Sequence, residues 1–402
     1  MKKIKIVRII ARLNIGGPAI HAVLLTEGLD KNKFESLLVC GCIDKKEGDM
    51  SYYAVNKDVI PIYVRQLRRE VNVFNDFAAF LKICAIINKE KPDIIHTHTA
   101  KAGAIGRLAV IACNLFNPYF WKKSIKLAHT FHGHVFSGYF NKIETAFFLV
   151  IEKILAVFTA RIITVSESVK SELVYFGIAN TKKIEVIYLG FELDKFLAVT
   201  PRNSNVINIG IIGRLVPIKN HRLFLEAAAE ALRRVDTHGI RFKIIGDGEL
   251  AGELKEYSEK LNIAPYVDFL GWKKDIADVY SELDIVALTS LNEGTPVSLI
   301  EAMASARVVI ATNVGGVRDL MGDVFVPRAD DSTKNFKVLE RGILVESGHS
   351  DSFAAALIFA LKNPEIMLRM ANRSRDYVSH RFTKVRLVSD IEILYDSILA
   401  NK

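Results

Sequence analysis

Short apolar runs rich in β-branched residues alternate with longer runs of helical periodicity along the whole chain. The first strand-like run, Ile4–Ile10, is followed by a helical pattern at Ala19–Leu29, and the alternation then continues through the first half. Strands separated by helices at this spacing predict βαβ units and a parallel sheet with helices on both faces. The other strand-like runs of the first half are Phe34–Cys40, Ile60–Val64, Asp93–Thr97, Ile125–Phe131, Ala160–Val165 and Ile184–Ile187.

A break in this pattern divides the chain. Residues 193–205 are polar, lack a strong period and include Pro201, which is typical of a linker. A second series of strands and helices begins at Val206–Ile212 and reaches Ile343–Val345. It is interrupted by the polar stretch Asp323–Arg341, which we predict to be a long surface loop.

We therefore predict an α/β protein with two doubly wound, Rossmann-like domains. In such domains ligands bind beyond the carboxyl ends of the strands, so two domains facing each other would form one cleft. Glycines and charged residues that follow strands are then the candidates for chemistry. The predicted units are 1–199, 200–380 and a terminal segment, 381–402.

Composition places the chain among globular proteins. Half of its 402 residues are hydrophobic and 25% are charged, which excludes intrinsic disorder. The basic N-terminus resembles the start of a signal peptide, but Arg12 interrupts the apolar run too early. The four cysteines show no paired zinc-binding spacing and are typical of reduced thiols. We expect a soluble, cytoplasmic protein.

Positive charge is concentrated in the first half. Residues 1–200 carry 28 Lys and Arg against 18 Asp and Glu, whereas the second half is near neutral. This asymmetry predicts a polyanionic or membrane-surface partner for the first half. Within residues 101–150, Tyr119-Phe120-Trp121-Lys122-Lys123 places aromatic rings beside lysines, which suits an anionic membrane or a lipid diphosphate, although an ordinary solvated loop explains it equally well.

Two glycines follow the first strand. Gly16 and Gly17 stand before Pro18 and the first helical pattern, where they allow a ligand to approach the backbone closely. The amides at the start of the helix attract phosphate. A tight turn between strand and helix is the alternative interpretation.

Histidines cluster at the ends of two later strands. Five of the ten histidines fall within residues 96–134. His96 and His98 share one strand face, which is compatible with zinc, but no acidic residue or cysteine joins the cluster in sequence. We prefer neutral imidazoles that exchange hydrogen bonds at the mouth of a cleft, with His96 and His129 equally explained as core residues.

The second domain opens with two cations near the end of its first strand. Arg214 and Lys219 lie five residues apart at a position where a diphosphate could be clamped. Two solvated surface cations are the alternative. The later segment Gly246-Asp247-Gly248 resembles a dinucleotide fingerprint, but carboxylates at Asp247 and Glu249 would repel a pyrophosphate.

The most informative segment runs from Asn292 to Ala302. Glu293 follows a strand, Pro296 suits the first helical position, and free amides at the helix start could bind a phosphate. Glu301 lies about one turn into the helix, so both carboxylates could accept hydrogen bonds from a polyol. Helix capping and salt bridging are the alternatives for the two glutamates. The segment reads Asn292-Glu293-Gly294-Thr295-Pro296-Val297-Ser298-Leu299-Ile300-Glu301-Ala302.

Taken together, these motifs resemble retaining glycosyltransferases of family 4, which have the two-domain GT-B fold. The resemblance extends over essentially the whole chain; the stretch Asp323–Arg341 departs from it by insertion before the strand that starts near Gly342. The motifs that carry it are Gly16-Gly17, His98, His132-Gly133, Ile163-Thr164-Val165-Ser166-Glu167, Arg214, Lys219, Glu293-x7-Glu301 and Val314-Gly315-Gly316.

The resemblance implies a role for each motif. Arg214 and Lys219 would hold the donor diphosphate, Glu301 the ribose, and Glu293 the 3- and 4-hydroxyls of the transferred sugar. His132 would lie beside the reacting sugar. The remaining implied donor contacts are Gly16, Gly17, Gly294, Thr295, Pro296, Val297 and Ser298, and the acceptor-side residues are His98, Lys101 and His134.

The implied activity is transfer of a hexosyl or N-acetylhexosaminyl group from a nucleotide sugar to a lipid-linked or polysaccharide acceptor in capsule, O-antigen or exopolysaccharide synthesis. We expect the donor to be a UDP-sugar. No metal or other cofactor is implied, and the chain contains no Asp-x-Asp. The last helix would cross back to the first domain. The alternatives are a UDP-sugar epimerase of the same fold and a basic membrane- or nucleic-acid-binding protein, although no nucleic-acid-reading motif is present.

Overall fold

The chain folds into two compact units in a computed structural model. One unit comprises Met1–Phe191 and Thr383–Lys402, and the other comprises Glu192–Phe382. The structure describes residues 2–43, 48–68, 70–133, 142–200, 204–235, 239–325 and 336–400, with the backbone alone for 142–144.

The observed boundary lies several residues before the predicted one at 199/200. The predicted linker contains a short helix, α8, at Asp194–Leu197. Its Phe196 is buried, and the ring packs edge-on against Tyr280 of the second unit at 5.6 Å between centroids. Packing of this aromatic side chain therefore assigns 192–199 to the second unit.

The first unit contains a seven-stranded sheet in the order β3-β2-β1-β4-β5-β6-β7, and all its pairings are parallel. The central strands β1, β4 and β5 are almost wholly buried, as parallel sheets between helical layers require, and Ile and Val dominate β1. The strands are β1 Ile4–Ile10, β2 Phe34–Cys40, β3 Ile62–Tyr63, β4 Ile94–His98, β5 Lys126–Phe131, β6 Arg161–Thr164 and β7 Ile184–Val186.

Helices cover both faces of this sheet. The two faces have separate cores, one beneath α3 and α4 and the other beneath the C-terminal helix α16. The helices of this unit are α1 Gly17–Gly28, α2 Ser51–Val55, α3 Val73–Glu90, α4 Ala100–Phe116, α5 Pro118–Lys122, α6 Lys142–Phe158, α7 Glu167–Tyr175 and α16 Lys384–Ala400.

The second unit repeats the topology with the strand order β10-β9-β8-β11-β12-β14-β13. Its strands are β8 Ile207–Ile212, β9 Ile240–Ile245, β10 Val267–Gly271, β11 Ile285–Leu288, β12 Val308–Thr312, β13 Phe336–Val338 and β14 Ile343–Val345. Its remaining helices are α9 His221–Arg234, α10 Ala251–Lys260, α11 Ile276–Ser281, α12 Val297–Ala304, α13 Val317–Met321, α14 Ser350–Lys362 and α15 Pro364–Arg381.

The prediction of a surface loop at Asp323–Arg341 is wrong for its second part. Phe336 and Val338 are buried in β13, which pairs antiparallel with β14 at the edge of the sheet. Val324 also forms an isolated bridge with Leu339. A three-residue strand is too short to give a clear alternation, so the sequence pattern missed it. Residues 326–335 lie outside the described part of the chain.

The C-terminal helix α16 completes the first unit. Leu387, Ile391 and Leu394 are buried in one cluster with Ile6 and Ile94 of the sheet. Tyr395 on the same helix reaches the strands through its hydroxyl, which lies 2.7 Å from His96 Nδ1 and accepts a bond from Arg8 at 3.1 Å. Burial of an arginine, a tyrosine and a histidine together requires this mutual hydrogen bonding.

Both units place their first and fourth strands side by side. β1 pairs with β2 on one side and β4 on the other, and β8 pairs likewise with β9 and β11. The chain reverses its direction of winding at this point, and the loops that follow the two central strands diverge and leave a crevice. The sequence motifs lie at the carboxyl ends of these four strands: His98 is the last residue of β4, and Gly16, Lys219 and Glu293 lie in the loops after β1, β8 and β11.

In the described ranges, no helix is both long enough and apolar enough to cross a bilayer.

Candidate active site

The first unit gathers imidazole rings at the carboxyl ends of β4 and β5. His98 Nδ1 lies 3.0 Å from His132 Nε2, which is a hydrogen bond between the two rings. His21, on α1, packs edge-on against both, with ring centroids 5.5 Å from His98 and 5.0 Å from His132. The structure thus brings together the two predicted histidines and a third that the sequence did not single out.

Burial keeps these imidazoles neutral. Desolvation lowers the pKa of His132 to about 3, and it holds the pKa values of His21 and His98 well below the usual range. The neighbouring rings add mutual repulsion between their protonated forms. A neutral imidazole offers one donor and one acceptor.

Several of these ring nitrogens have no protein partner. Among the described residues, both nitrogens of His21, Nε2 of His98 and Nδ1 of His132 are buried without a hydrogen bond. Unpartnered buried polar atoms are costly and indicate that water or a ligand meets them. One ligand atom from each ring falls within 4.8 Å of the others, so the three rings could in principle also hold a metal ion.

His96 and His129 have a different environment. Both nitrogens of His96 are hydrogen-bonded, to Tyr395 and to Thr130, each at 2.7 Å. His129 Nδ1 lies 2.8 Å from the Thr97 hydroxyl. These two rings form hydrogen bonds within the interior of the sheet. The sequence allowed His96 and His98 to be a pair of metal ligands, but both nitrogens of His96 are already hydrogen-bonded.

Gly16 and Gly17 form the turn between β1 and α1. Gly16 has a φ of 154° and a ψ of 167°, a combination that side-chain-bearing residues rarely adopt. The helix starts at Gly17 without a side-chain cap, so its first amides are not bonded by a capping side chain. His21 lies one turn further along the same helix.

The predicted acceptor-side residue Lys101 lies apart from the histidines. Lys101, in the first turn of α4, forms an ion pair with Asp76 of α3 at 2.6 Å and donates to the carbonyl of Glu70. It therefore sits between α3 and α4 rather than among the imidazoles. His134 lies outside the described residues.

In the second unit, an ion pair joins the two loops of the crevice. Lys219 Nζ lies 2.5 Å from Glu293 Oε1, and the hydroxyl of Ser290 donates to the same oxygen at 2.6 Å. The side chain of Lys219 is 26% exposed and that of Glu293 is 11% exposed. A charge pair at this depth is stronger than a surface pair, yet remains accessible to a ligand.

Backbone and hydroxyl contacts hold this loop in place. The buried Thr289 hydroxyl, directly after β11, donates to the carbonyls of Lys219 and Asn220 at 3.0 Å each. The Leu291 amide donates to Ile218 O at 2.8 Å. The loop that carries Lys219 is thereby fastened to the one that carries Glu293. Arg214, at the start of the first loop, is exposed.

Glu301 lies on α12 beneath this loop. The Tyr280 hydroxyl lies 3.0 Å from Glu301 Oε2 and 2.9 Å from the carbonyl of Ser298. Burial raises the pKa of Glu301 to about 7, against the opposing effect of the Tyr280 hydrogen bond and of the Lys195 charge. This carboxyl therefore titrates near neutrality and can accept or donate a hydrogen bond there.

The segment between the two glutamates leads into α12. Thr295 and Pro296 are buried, whereas Gly294, Val297 and Ser298 keep partial exposure. α12 begins at Val297 with Pro296 as N-cap, which provides no side-chain hydrogen bond to the first amides. The turn at Gly315 approaches from β12, where the amide of Gly316 donates to Gly294 O at 2.9 Å.

The Gly246-Asp247-Gly248 segment has a packing explanation. A Cβ at Gly246 would lie 1.9 Å from Gly213 O, and one at Gly248 would lie 2.5 Å from Leu215 O. Both glycines let the loop after β9 lie against the loop that carries Arg214 and Lys219. This close approach accounts for the two glycines without a dinucleotide.

Sequence reasoning missed His21, Thr289, Ser290 and Tyr280. His21 follows Gly17 by one helical turn, and Thr289 and Ser290 come directly after a strand that was predicted. These positions beside a glycine motif and a strand end could have indicated the three residues from the sequence. Tyr280 is distant from Glu301 in sequence, and no local pattern indicates their contact.

Comparison with known proteins decides the family. The family model for Glycosyl transferases group 1 matches residues 207–363, and that for Glycosyltransferase Family 4 matches residues 15–195. The chain belongs to glycosyltransferase family 4. The resemblance to family 4 that the sequence motifs indicated is thereby confirmed.

Two relatives of this glycosyltransferase are named for glycan synthesis. The chain is 28% identical over 393 residues to the UDP-Gal:alpha-D-GlcNAc-diphosphoundecaprenol alpha-1,3-galactosyltransferase of Escherichia coli, covering 94% of this chain and 92% of that protein. It is 24% identical over 353 residues to the capsular polysaccharide biosynthesis glycosyltransferase CapM of Staphylococcus aureus, covering 84% and 85%.

Solved structures confirm the predicted GT-B fold class. HepE of Anabaena in complex with UDP matches with a TM-score of 0.75 at 18% identity, over 98% of this chain and all of that one. A glycosyltransferase from Rickettsia africae matches with a TM-score of 0.74 at 20% identity, over the full length of both chains.

The raised pKa of Glu301 predicts a pH-dependent effect of Glu301→Gln. A folded-state pKa of about 7 exceeds the unfolded value of about 4.3, so the stability contributed by the protonated carboxyl is lost as the pH rises through 7. Glutamine mimics the neutral acid, and we expect it to raise Tm by about 2–4 °C at pH 8. The gain should fall below half of that at pH 5.

Differential scanning fluorimetry at both pH values measures this difference. Glu253→Gln is the control, because Glu253 is about half exposed and pairs only with a surface arginine. An equal shift of Tm for Glu301→Gln at pH 5 and pH 8 would show that burial does not perturb this carboxyl.

Proposed function

We propose that this glycosyltransferase transfers a hexosyl or N-acetylhexosaminyl group from a UDP-sugar to a lipid-linked acceptor, with retention of anomeric configuration. The reaction would contribute to a capsule, O-antigen or exopolysaccharide. The Escherichia coli relative, named for a UDP-sugar donor and a diphosphoundecaprenol acceptor, supports the donor and acceptor classes. HepE, which was solved with UDP, supports the choice of nucleotide.

The observation that carries the proposal is the ion pair between Lys219 and Glu293 at the β8/β11 crevice. An incoming diphosphate would bind both the Lys219 ammonium and the exposed Arg214. The ammonium would then leave the Glu293 carboxylate. Glu293 would then be free to accept hydrogen bonds from the 3- and 4-hydroxyls of the sugar. Glu301, held by the hydrogen bond from the Tyr280 hydroxyl, would accept hydrogen bonds from the ribose hydroxyls.

Departure of the diphosphate is the electrostatic demand of the reaction. Negative charge grows on the leaving phosphate while the sugar approaches an oxocarbenium ion. Arg214, Lys219 and the amides at the start of α12 are fixed positive groups that would stabilise that charge without reorganisation. The backbone of Gly294 to Ser298 would line the sugar and distal phosphate.

Retention follows if the acceptor hydroxyl attacks from the side the leaving group vacates. The acceptor oxygen forms the new bond to the anomeric carbon as the bond to the diphosphate oxygen breaks, and the hydroxyl proton passes to the departing phosphate. His132 remains neutral at physiological pH and would act by hydrogen bonding beside the sugar. Gly16 and Gly17 would be donor contacts, because glycines allow a ligand to approach the backbone closely.

Lys219→Ala is expected to reduce kcat by about 100–1,000-fold, the usual cost of removing one group that stabilises a developing anion. Glu293 keeps its bond from Ser290 in this variant, so the fold should persist, although Tm should fall by a few degrees because the carboxylate loses its cation. The measurement is release of UDP from the donor with a GlcNAc-diphosphoprenol acceptor. Because Arg214 and Lys219 supply the positive charge, we propose that no metal is needed and that EDTA leaves the wild-type rate unchanged.

The control for this experiment is Lys243→Ala. Lys243 forms a comparable 2.7 Å ion pair with Glu282 in the same unit, away from the crevice loops. Near-normal turnover in Lys219→Ala, or an equal loss in both variants, would contradict the assignment.

We also propose that the first unit associates with the anionic inner face of the cytoplasmic membrane, without binding nucleic acid. Tyr119 and Trp121 on α5 are 42% and 67% exposed, beside Lys122 and Lys123. Aromatic rings next to lysines favour the headgroup region of an anionic bilayer.

The variant Trp121→Ser/Lys122→Glu should reduce sedimentation with phosphatidylglycerol vesicles severalfold, and salt should weaken the binding of the wild type. The chain contains a matched control, Trp272→Ser/Lys273→Glu, in the similar tripeptide Trp272-Lys273-Lys274 of the second unit. Equal sedimentation of both variants, or no binding by the wild type, would contradict the membrane proposal.

A further inference from the structure

An apolar groove runs between α3 and α4 on the first unit. Its volume is about 590 Å³. Asp76 is its one charged lining residue among those described. The apolar lining includes Val73, Phe77, Ile105, Leu108, Leu115 and Phe116.

The sequence of α4 explains why one face of this helix remains open. On the opposite face, Gly103 and Gly106 lie so close to the sheet that a Cβ would fall 2.4 Å from His129 Cε1 and 2.8 Å from Thr97 Cγ2. The small residues thus seat α4 on the strands. The large residues point away from the sheet and line the groove.

These large apolar residues are unusually exposed. Phe116 is 80% exposed and Val73 is 79% exposed, while Leu108 is about half exposed. Phe74, next to the groove, is 87% exposed. A contiguous apolar surface of this kind marks a binding site in a folded protein.

The groove begins near the histidine cluster. α4 starts at Ala100, two residues after His98, and runs for 17 residues, a length of about 25 Å. Lys101, in its first turn, pairs with Asp76 at that end. The far end lies at Leu115, whose carbonyl accepts a 3.0 Å hydrogen bond from Trp121 Nε1.

We propose that this groove, the α3–α4 groove, binds the isoprenoid chain of a lipid-diphosphate acceptor, with Lys101 beside the diphosphate. The inference rests on the proposed lipid-linked acceptor and names the site for its chain. A hydrocarbon chain needs no hydrogen-bond partner, which matches the apolar lining, and burial of its methylene groups is favourable. At one end the diphosphate would take Lys101 from its ion pair with Asp76, and at the other end the exposed indole of Trp121 lies where the tail would leave toward a bilayer.

Trp121 provides a readout that does not depend on activity. The chain has two tryptophans, so Trp272→Phe leaves Trp121 as the single indole. In this background, geranylgeranyl diphosphate below its micellar concentration should give a saturable blue shift of the emission. Inorganic pyrophosphate should give none, since it lacks the chain that fills the groove.

Two groove variants test the site. Leu108→Asp and Phe116→Asp place a carboxylate where the chain would lie, and each should weaken binding at least tenfold. Both positions are exposed, so Tm should stay within a few degrees of the parent. The matched control is Ile154→Asp on α6, where Ile154 is 55% exposed on another helix.

Unchanged affinity in both groove variants would overturn the proposal. It would also fall if geranylgeranyl diphosphate fails to bind while sedimentation velocity shows a dimer that Leu108→Asp dissociates, because the groove would then accept a second copy of the chain. Saturable, Leu108-dependent binding without any glycosyl transfer would support the groove and refute the proposed function. Transfer to a lipid acceptor that does not depend on Leu108 would support the proposed function and refute the groove.

Discussion

Parallel pairing of the first and fourth strands in each sheet determines where the polar side chains of this chain meet. β1 lies beside β4 and β8 beside β11, so the loops that follow them border one crevice in each unit. The crevice of the first unit receives Gly16 and the imidazoles, and that of the second receives Lys219 and Glu293. Residues about 75 positions apart in sequence, such as Lys219 and Glu293, come into contact only because of this strand order.

The side chains of the two crevices differ in burial and in charge. In the first unit, burial removes charge, because desolvation lowers the pKa of His132 to about 3 and leaves neutral rings with unpartnered nitrogens. In the second unit, a lysine and a glutamate form an ion pair at 2.5 Å that remains partly exposed. Neutral donors and acceptors suit a sugar, and a lysine held near an exchangeable carboxylate suits a diphosphate.

The C-terminal helix connects remote sequence to the first crevice. Tyr395 lies between Arg8 and His96, and its hydroxyl hydrogen bond to Nδ1 helps fix the orientation of the His96 ring. The His96 ring centroid lies 4.3 Å from that of His98. The last helix thus supports the histidine cluster through a buried polar chain, although it lies nearly 300 residues away in sequence.

The fold was largely predictable, because strand and helix periods are local properties of the sequence. Strong runs such as Ile4–Ile10 were located to the residue, whereas β13 was missed since three residues between polar neighbours give no period. At the site, Lys219 and Glu293 were found because each lies in the loop that follows a predicted strand. Tyr280 and Tyr395 were not found, because their contacts depend on how helices pack, and the boundary near Glu192 depends on where one phenylalanine is buried. Glu301 was predicted as a ligand, but its pKa near 7 follows only from its burial.

The measurement that tests the central claim most directly is a thermal-shift comparison of UDP, GDP and ADP on the whole protein. A ligand that binds only the folded state stabilises it by about 2.7 kcal/mol at a concentration of 100 Kd, which is several degrees in Tm. If the crevice of Lys219, Glu293 and Glu301 holds the donor, UDP should raise Tm clearly more than GDP or ADP. If no nucleotide shifts Tm at millimolar concentration, that crevice is not a donor site and the proposed transfer is wrong.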